Sequence, residues 1–364
     1  MALQYGRKCR VGIKKYNELV PRYFDERLNI VFDVVKNSDG MFNTCRISIA
    51  NLTADSQQFL ENAAAFADLN ISKVTLEVAY DPTLINPLPA WEVLFNGDLL
   101  YVESNNSGTD SYTTIEGGEG ARAYQLAFCN RSFGPTAIVQ EIFKFVADSI
   151  ALYNITLCTN FSAVVAKAIG TAVINPNTFA TPNTYSRTRP DVSIFLGLTK
   201  LGDFGIRQED LPVSSQNLLD ANLDAKFGGK RRGDIKDTSD PSFFGFAMYG
   251  YARDFMDRLC ARHGLVWFIN NNVLEVIPAD GGIETGLLIG PTNGLIGSPT
   301  KGPNGQVRAD MLIRSMISPY RYYDLDSNSV FGTLRARRVR HSGETRGNSW
   351  FSSTENDAVG SRVA

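Results

Sequence analysis

Residues 254–278, DFMDRLCARHGLVWFINNNVLEVIP, contain a change of period. Through Arg262 the apolar positions have helical spacing, with Tyr251 (just upstream), Phe255 and Leu259 on one face. Gly264 stands where a left-handed residue closes a helix. From there LVWFI and VLEVI flank Asn270-Asn271-Asn272, which predicts two buried strands joined by a tight turn. A helix feeding a hairpin is an α+β unit, so the centre of the chain is neither all-helical nor purely β.

On either side of this unit the period is two. Downstream, GLIGSP at 294–299 is a turn-rich phrase, and Val307, Ala309, Met311 and Ile313 alternate. Phe331–His341 reads as a long strand with Trp350–Phe351 as its partner, and 352–364 as a frayed tail. Upstream, alternation recurs in Cys9, Val11 and Ile13, in Leu28, Ile30, Phe32 and Val34, in Cys45, Ile47 and Ile49, and in Val74, Leu76, Val78 and Tyr80. Asp39–Gly40 in KNSDGMFN predicts one hairpin, and Asn96–Gly97, between Trp91–Phe95 and Leu99–Val102, predicts another. One helix interrupts these strands, with Asp55 as N-cap, Gln58 at capping-box spacing, and Phe59, Ala63 and Phe66 on its apolar face. Arg7–Ile13 is a strand whose Lys and Arg fit either pairing with a neighbouring subunit or guarding a free edge. Between the β-rich ends, Pro135 marks a helix start followed by Ile138, Ile142, Phe145 and Ile150, and a second helix is expected over 162–169. Residues 175–190 and 226–242, the latter with Lys230, Arg231 and Arg232, read as loops.

The 364 residues carry 36 Lys and Arg against 38 Asp and Glu, a net charge of −2, which argues against a dedicated nucleic-acid binder. The charge is uneven. Residues 1–130 hold 11 basic and 16 acidic residues and residues 301–364 hold 10 and 6, so an acidic front and a basic end could attract within or between subunits. No apolar run nears the ~18 residues of a membrane span, and MALQYGRKCR has no apolar export signal. Cys9, Cys45, Cys129, Cys158 and Cys260 are widely spaced, which predicts reduced, mostly buried thiols in a protein folded in a cytoplasm. On that expectation, six N-x-S/T sequences are chance products of an Asn-rich chain.

Four phrases occur in order along most of the chain: ISIANL (Ile47–Leu52), the helix and hairpin of 254–278, GLIGSP followed by a strand and Pro319, and VRHSGETRGNSW (Val339–Trp350). Together they resemble the baseplate hub proteins of contractile-tailed bacteriophages, a group that includes late-control-D-like tail proteins. Two turn positions depart from the family: Pro319-Tyr320 stands where relatives often have Pro-Gly, and Gly343-Glu344 where they often have Gly-Asp. The resemblance implies a β-rich α+β fold of two tail-tube-like β-barrel domains, 1–130 and 285–355, separated by an α+β middle domain, 131–284, with a flexible tail, 356–364. It implies a non-enzymatic virion protein, assembled in the host bacterial cytoplasm into the trimeric hub of a baseplate. Its six barrels would adapt a hexameric tail tube to a trimeric central spike, with the tape-measure protein in the lumen and other baseplate proteins around it. Neither membrane insertion nor dedicated nucleic-acid binding is implied.

No catalytic, cofactor or metal residues are assigned. His263 is expected at a helix end as a cation or donor to carbonyls, and His341 in a turn three residues before Glu344, with no nucleophile or metal motif beside either. GGEG at 117–120 and GGKRRG at 228–233 match no phosphate loop. Glu141, Asp254 and Asp257 read as solvated helix carboxylates with no partner across a cleft, which disfavours a glycosidase. Arg335 and Arg337 are expected on one strand face, Arg338 and Arg340 on the other, and with Arg346 they suggest a salt-bridging surface toward another subunit or a spike, a plain solvated strand, or a nucleic-acid surface. The alternatives to a hub are a tail-tip cell-wall hydrolase and a receptor- or glycan-binding β module.

Overall fold

The computed structural model describes residues 6–38, 41–64, 71–80, 90–107, 110–133, 137–169 and 246–359. The expectations for Asp39–Gly40, Phe66, Pro135, 175–190, 226–242 and GGKRRG lie outside them.

The chain is β-rich. It opens with β1 (Arg7–Lys14), β2 (Arg22–Asp25), β3 (Ile30–Asn37), β4 (Thr44–Ala50), α1 (Ala54–Ala64), β5 (Lys73–Tyr80), β6 (Glu92–Ser107) and β7 (Asp110–Gly118). The centre holds α2 (Ala121–Leu126), β8 (Phe128–Phe133), α3 (Val139–Ala151), β9 (Thr156–Leu157), α4 (Phe161–Ile169), β10 (Phe246–Tyr251), α5 (Ala252–Arg262), β11 (Leu265–Asn270) and β12 (Val273–Pro278). It closes with β13 (Ile283–Ile289), β14 (Leu295–Lys301), β15 (Val307–Met311), β16 (Arg321–Asp326), β17 (Phe331–Glu344) and β18 (Trp350–Ala358). Among the described residues no helix is long and apolar enough to cross a membrane.

Strands from both ends of the chain form one 13-stranded sheet. Its path runs β14-β15-β18-β17-β3-β4-β7-β6-β5-β1-β2, and β16, carrying β13, branches from β17. Among the described residues this path is open rather than closed on itself. The join is β17 against β3, antiparallel, from Arg338↔Asn37 to Glu344↔Val31. The N-terminal strands bury the rows that alternation predicts: Val11 and Ile13, Phe32 and Val34, Ile47 and Ile49, Val74 and Leu76. Trp350, from β18, and Ile313, in the loop after β15, complete that core, with Phe32 edge-on to Trp350 at 5.5 Å. A second core lies under β15–β17, around Met311, Tyr323, Leu325 and Leu334. A third, in the central unit, packs α3, α4 and α5 on β11 and β12.

The helix-hairpin reading of 254–278 holds for Phe255 and Leu259, which are buried, but Tyr251 ends β10, caps α5 and is exposed rather than sharing the helix's buried face. Gly264 has φ +64, Asn271 φ +50 and Asn272 φ +63, the left-handed pair of a two-residue hairpin turn. Several other expectations are corrected. β6 runs straight through Asn96–Gly97, and its hairpin with β7 closes at Ser107↔Asp110. Gly97 is there for close packing, since a Cβ on it would stand 2.7 Å from the Gly118 carbonyl. The cap of α1 is Thr53, whose Oγ1 accepts the Ser56 N–H at 3.3 Å, while Asp55 lies in the first turn. β1 is not an edge over Arg10–Ile13, where β2 and β5 flank it, and Arg10 pairs with Glu77 while stacking on Tyr23 and Trp91. β18 continues to Ala358, because Ser352, Thr354 and Asn356 are buried and hydrogen-bonded where fraying was expected. Tyr320 has φ +61, in the left-handed region that favours glycine. Its ring stacks on Phe268 at 5.0 Å and its hydroxyl donates to the Ser38 carbonyl at 2.9 Å, contacts a glycine could not make. Gly343-Glu344 is strand rather than turn, and a Cβ on Gly343 would overlap the Phe32 ring.

Candidate functional site

Two features set this molecule apart: a buried ionic junction where the three cores meet, and an arginine-rich face over the join between β3 and β17.

The inward row of β3 continues past Val34 to Lys36, which is 1% exposed. Its ammonium forms an ion pair with Glu119 Oε1 at 3.1 Å and donates hydrogen bonds to Asn270 Oδ1 at 2.9 Å and Asn271 Oδ1 at 3.2 Å. Glu119 is wholly buried, and its Oε2 accepts from Asn43 Nδ2 at 2.7 Å. Asn43 also donates to the Ile269 carbonyl, and Ser318 Oγ donates to Asn270 Oδ1 at 3.1 Å. A second buried pair stands beside the first. Lys73 meets Asp98 at 2.6 Å, Asp98 Oδ2 accepts the Arg122 N–H at 2.9 Å, and Asn272 bridges Lys73 and Asn96. On the C-terminal side Arg321 grips Glu275 with two bonds of 2.9 and 2.7 Å. The NNN turn is therefore a polar plug driven between the two β-rich ends. GGEG, matching no phosphate loop, supplies the buried carboxylate, and Gly120 has φ +63 where a Cβ would strike Ile269.

His341 belongs to this junction and not to a turn. In β17 it points inward, fully buried, with Nδ1 2.6 Å from Ser352 Oγ. Burial, then the Lys36 charge, push its pKa down to about 3, against an opposing backbone hydrogen bond at Ile317. Three residues along a strand reverse the face, so His341 and Glu344 point apart. His263 is the C-cap of α5, where its backbone N–H binds the Cys260 and Leu259 carbonyls. Burial, then Arg262, lower its pKa, which disfavours the expected cation. Asp257 is half-buried rather than solvated, accepting Trp267 Nε1 at 2.6 Å, and burial raises its pKa. Asp254 pairs with Arg253, and Glu141 is exposed on α3. All five cysteines are free thiols; Cys9, Cys45, Cys129 and Cys260 are buried and Cys158 is half-buried. Among the described residues no group of three or more His, Cys, Asp or Glu is placed to hold a metal.

The arginines differ from simple alternation. Register passes from Ala336↔Asn356 to Arg338↔Glu355, so Arg337 is an extra residue, a β-bulge. Before it Leu334 and Ala336 are buried; after it Val339, His341 and Gly343 are. The inversion places Arg335, Arg337, Arg338 and Arg340 on one outer face, not on two. Arg335 reaches Asp357 at 3.2 Å, Arg340 binds Asp33 at 2.7 and 3.0 Å, and Arg346 donates to the Arg27 carbonyl.

No protein-family model matches this sequence, and no curated protein matches it. Several solved structures align with it along most of its length. A 43 kDa tail protein of prophage MuSo2 from Shewanella oneidensis is 6% identical, with TM-score 0.48, over 96% of this chain and 97% of that one. A tail protein from Neisseria meningitidis MC58 is 8% identical, with TM-score 0.48, over 97% and 96%. An E. coli component of the type VI secretion system, described as structurally similar to the T4 bacteriophage tail proteins gp27 and gp5, is 11% identical, with TM-score 0.44, over 95% and 76%.

Proposed function

We propose that this chain is a structural, non-enzymatic component of a phage tail and forms the trimeric central hub of its baseplate. Three units make up the subunit: a tube-like β unit over 1–130, an α+β tie over 131–284, and a second tube-like β unit over 285–355. Three subunits would set six β units in a ring, matching a hexameric tail tube on one side and a trimeric spike on the other, with the tape-measure protein inside and other baseplate proteins outside. The observation that carries this reading is the β3–β17 join, which holds the two ends of the chain side by side in one ladder. The four-phrase resemblance in the sequence points the same way. The ionic junction suits a part that transmits load, since buried charges with fixed partners resist sliding.

The contact between subunits is expected to use the β1–β2 connection, where the adjacent Leu19 and Val20 are 92% and 72% exposed. Light scattering on the purified protein should give a trimer, alone or with its spike. The double substitution L19D/V20D should weaken association at least tenfold without changing the unfolding temperature of the monomer. A strict monomer at high concentration that binds neither tube nor spike sinks the hub. Clearing of peptidoglycan in a zymogram favours the hydrolase, and specific hits on a glycan array favour the receptor-binding module.

A further inference from the structure

We propose that the Arg337–Arg338 bulge and the recess beside it are a docking site for an acidic peptide segment of a partner protein. The inference goes beyond the hub reading and stands without it.

The four guanidiniums on this face are not equivalent. Arg340 is neutralised by a two-point grip on Asp33. Arg335 is pinned by Asp357 and by the Ala279 and Gly281 carbonyls, which makes it a fixed wall. The side chains of Arg337 and Arg338 are exposed, and no hydrogen bond or ion pair satisfies them among the described residues. A regular strand would have sent these two neighbours to opposite faces; the bulge holds both outward. Beside them lies a recess of about 350 Å³, lined by Ser38, Ala279, Tyr320, Arg335, Arg337 and Asp357. Its size is at the low end of ligand-binding clefts, enough for a side chain or two.

Guanidinium forks match carboxylates with two parallel hydrogen bonds, so two free forks and a fixed third ask for closely spaced Asp or Glu. A nucleic-acid strand fits less well. It carries a charge at every phosphate and needs an unbroken basic track. Here Asp33, Glu355 and Asp357 interrupt the arginines on the same face.

Fluorescence anisotropy tests the site on the full chain. The probes are a fluorescein-labelled ten-residue peptide of alternating Glu and Gly, its Gln/Gly counterpart, and a labelled ten-nucleotide single strand of DNA. The Glu/Gly peptide should bind, should weaken as salt rises, and should lose at least tenfold in affinity with R337E/R338E. K144E, on α3, should leave binding unchanged. R337Q/R338Q, which removes charge without reversing it, should lose at least threefold, and it replaces the reversal if that variant unfolds. Failure of the Glu/Gly peptide to bind, equal binding of the Gln/Gly peptide, or equal binding to both arginine variants overturns the site. DNA binding tighter than peptide binding, lost in the same variants, overturns it in favour of nucleic acid.

Discussion

Replacing Lys36 with methionine is expected to cost about 3–5 kcal/mol of folding stability, as removal of one partner from a buried ion pair does. The substitution strands the Glu119 carboxylate, which is wholly buried and keeps only Asn43 as a hydrogen-bonding partner, and it leaves Asn271 Oδ1 without its Lys36 donor and Asn270 Oδ1 with Ser318 alone. K36M/E119Q should be more stable than K36M alone, because the amide removes the uncompensated charge. An exposed pair provides the contrast. Arg340 and Asp33 keep 58% and 36% of their side chains in solvent, so R340A should cost no more than ~1 kcal/mol. Urea unfolding of the four proteins reads all three values, and a K36M midpoint indistinguishable from wild type would refute the junction's role.

The second large effect is on pH. The folded imidazole of His341 resists protonation down to about pH 3, whereas in the unfolded chain it takes a proton near 6.5. Between these values the unfolded state binds more protons, so stability falls as pH falls. From pH 6.5 to 4.5 the loss from this one group is about 2–3 kcal/mol, and above 6.5 it contributes nothing. Carboxylates titrate in the lower part of the same window, so the measurement is a difference. H341Q, which retains a polar partner for Ser352, should show a shallower decline than wild type over that range. Parallel curves would mean that His341 is protonated in the folded protein or was never buried.

These effects also mark where the sequence was readable. The NNN hairpin was legible because its apolar flanks and its left-handed Asn pair are local signals. Lys36 was not, although its position was: it continues the phase of Ile30, Phe32 and Val34, and a row of three buried residues forecasts a fourth. What no local pattern shows is that its partners are Glu119 and Asn270, brought in from β7's end and the central unit. Asn96–Gly97 misled because the same dipeptide serves a turn or a close crossing, and only the neighbour Gly118 distinguishes them. The arginine face misled for the opposite reason, since alternation assumes an unbroken ladder and one inserted residue at Arg337 inverts it. His341 follows from the same shift, as it shares its phase with Val339.

The pairing of β3 with β17 has a consequence for how the protein is made. Asp33 and Arg340 are 307 positions apart. At ~5–20 residues per second a ribosome needs roughly 15–60 s to supply the second after the first. Throughout that interval β3 lacks its native neighbour β17 on that side, and its unpaired amides and carbonyls there can pair with another growing chain. Synthesis is therefore the period of greatest aggregation hazard, and chains stalled before residue 338 should associate through that side unless a chaperone covers it.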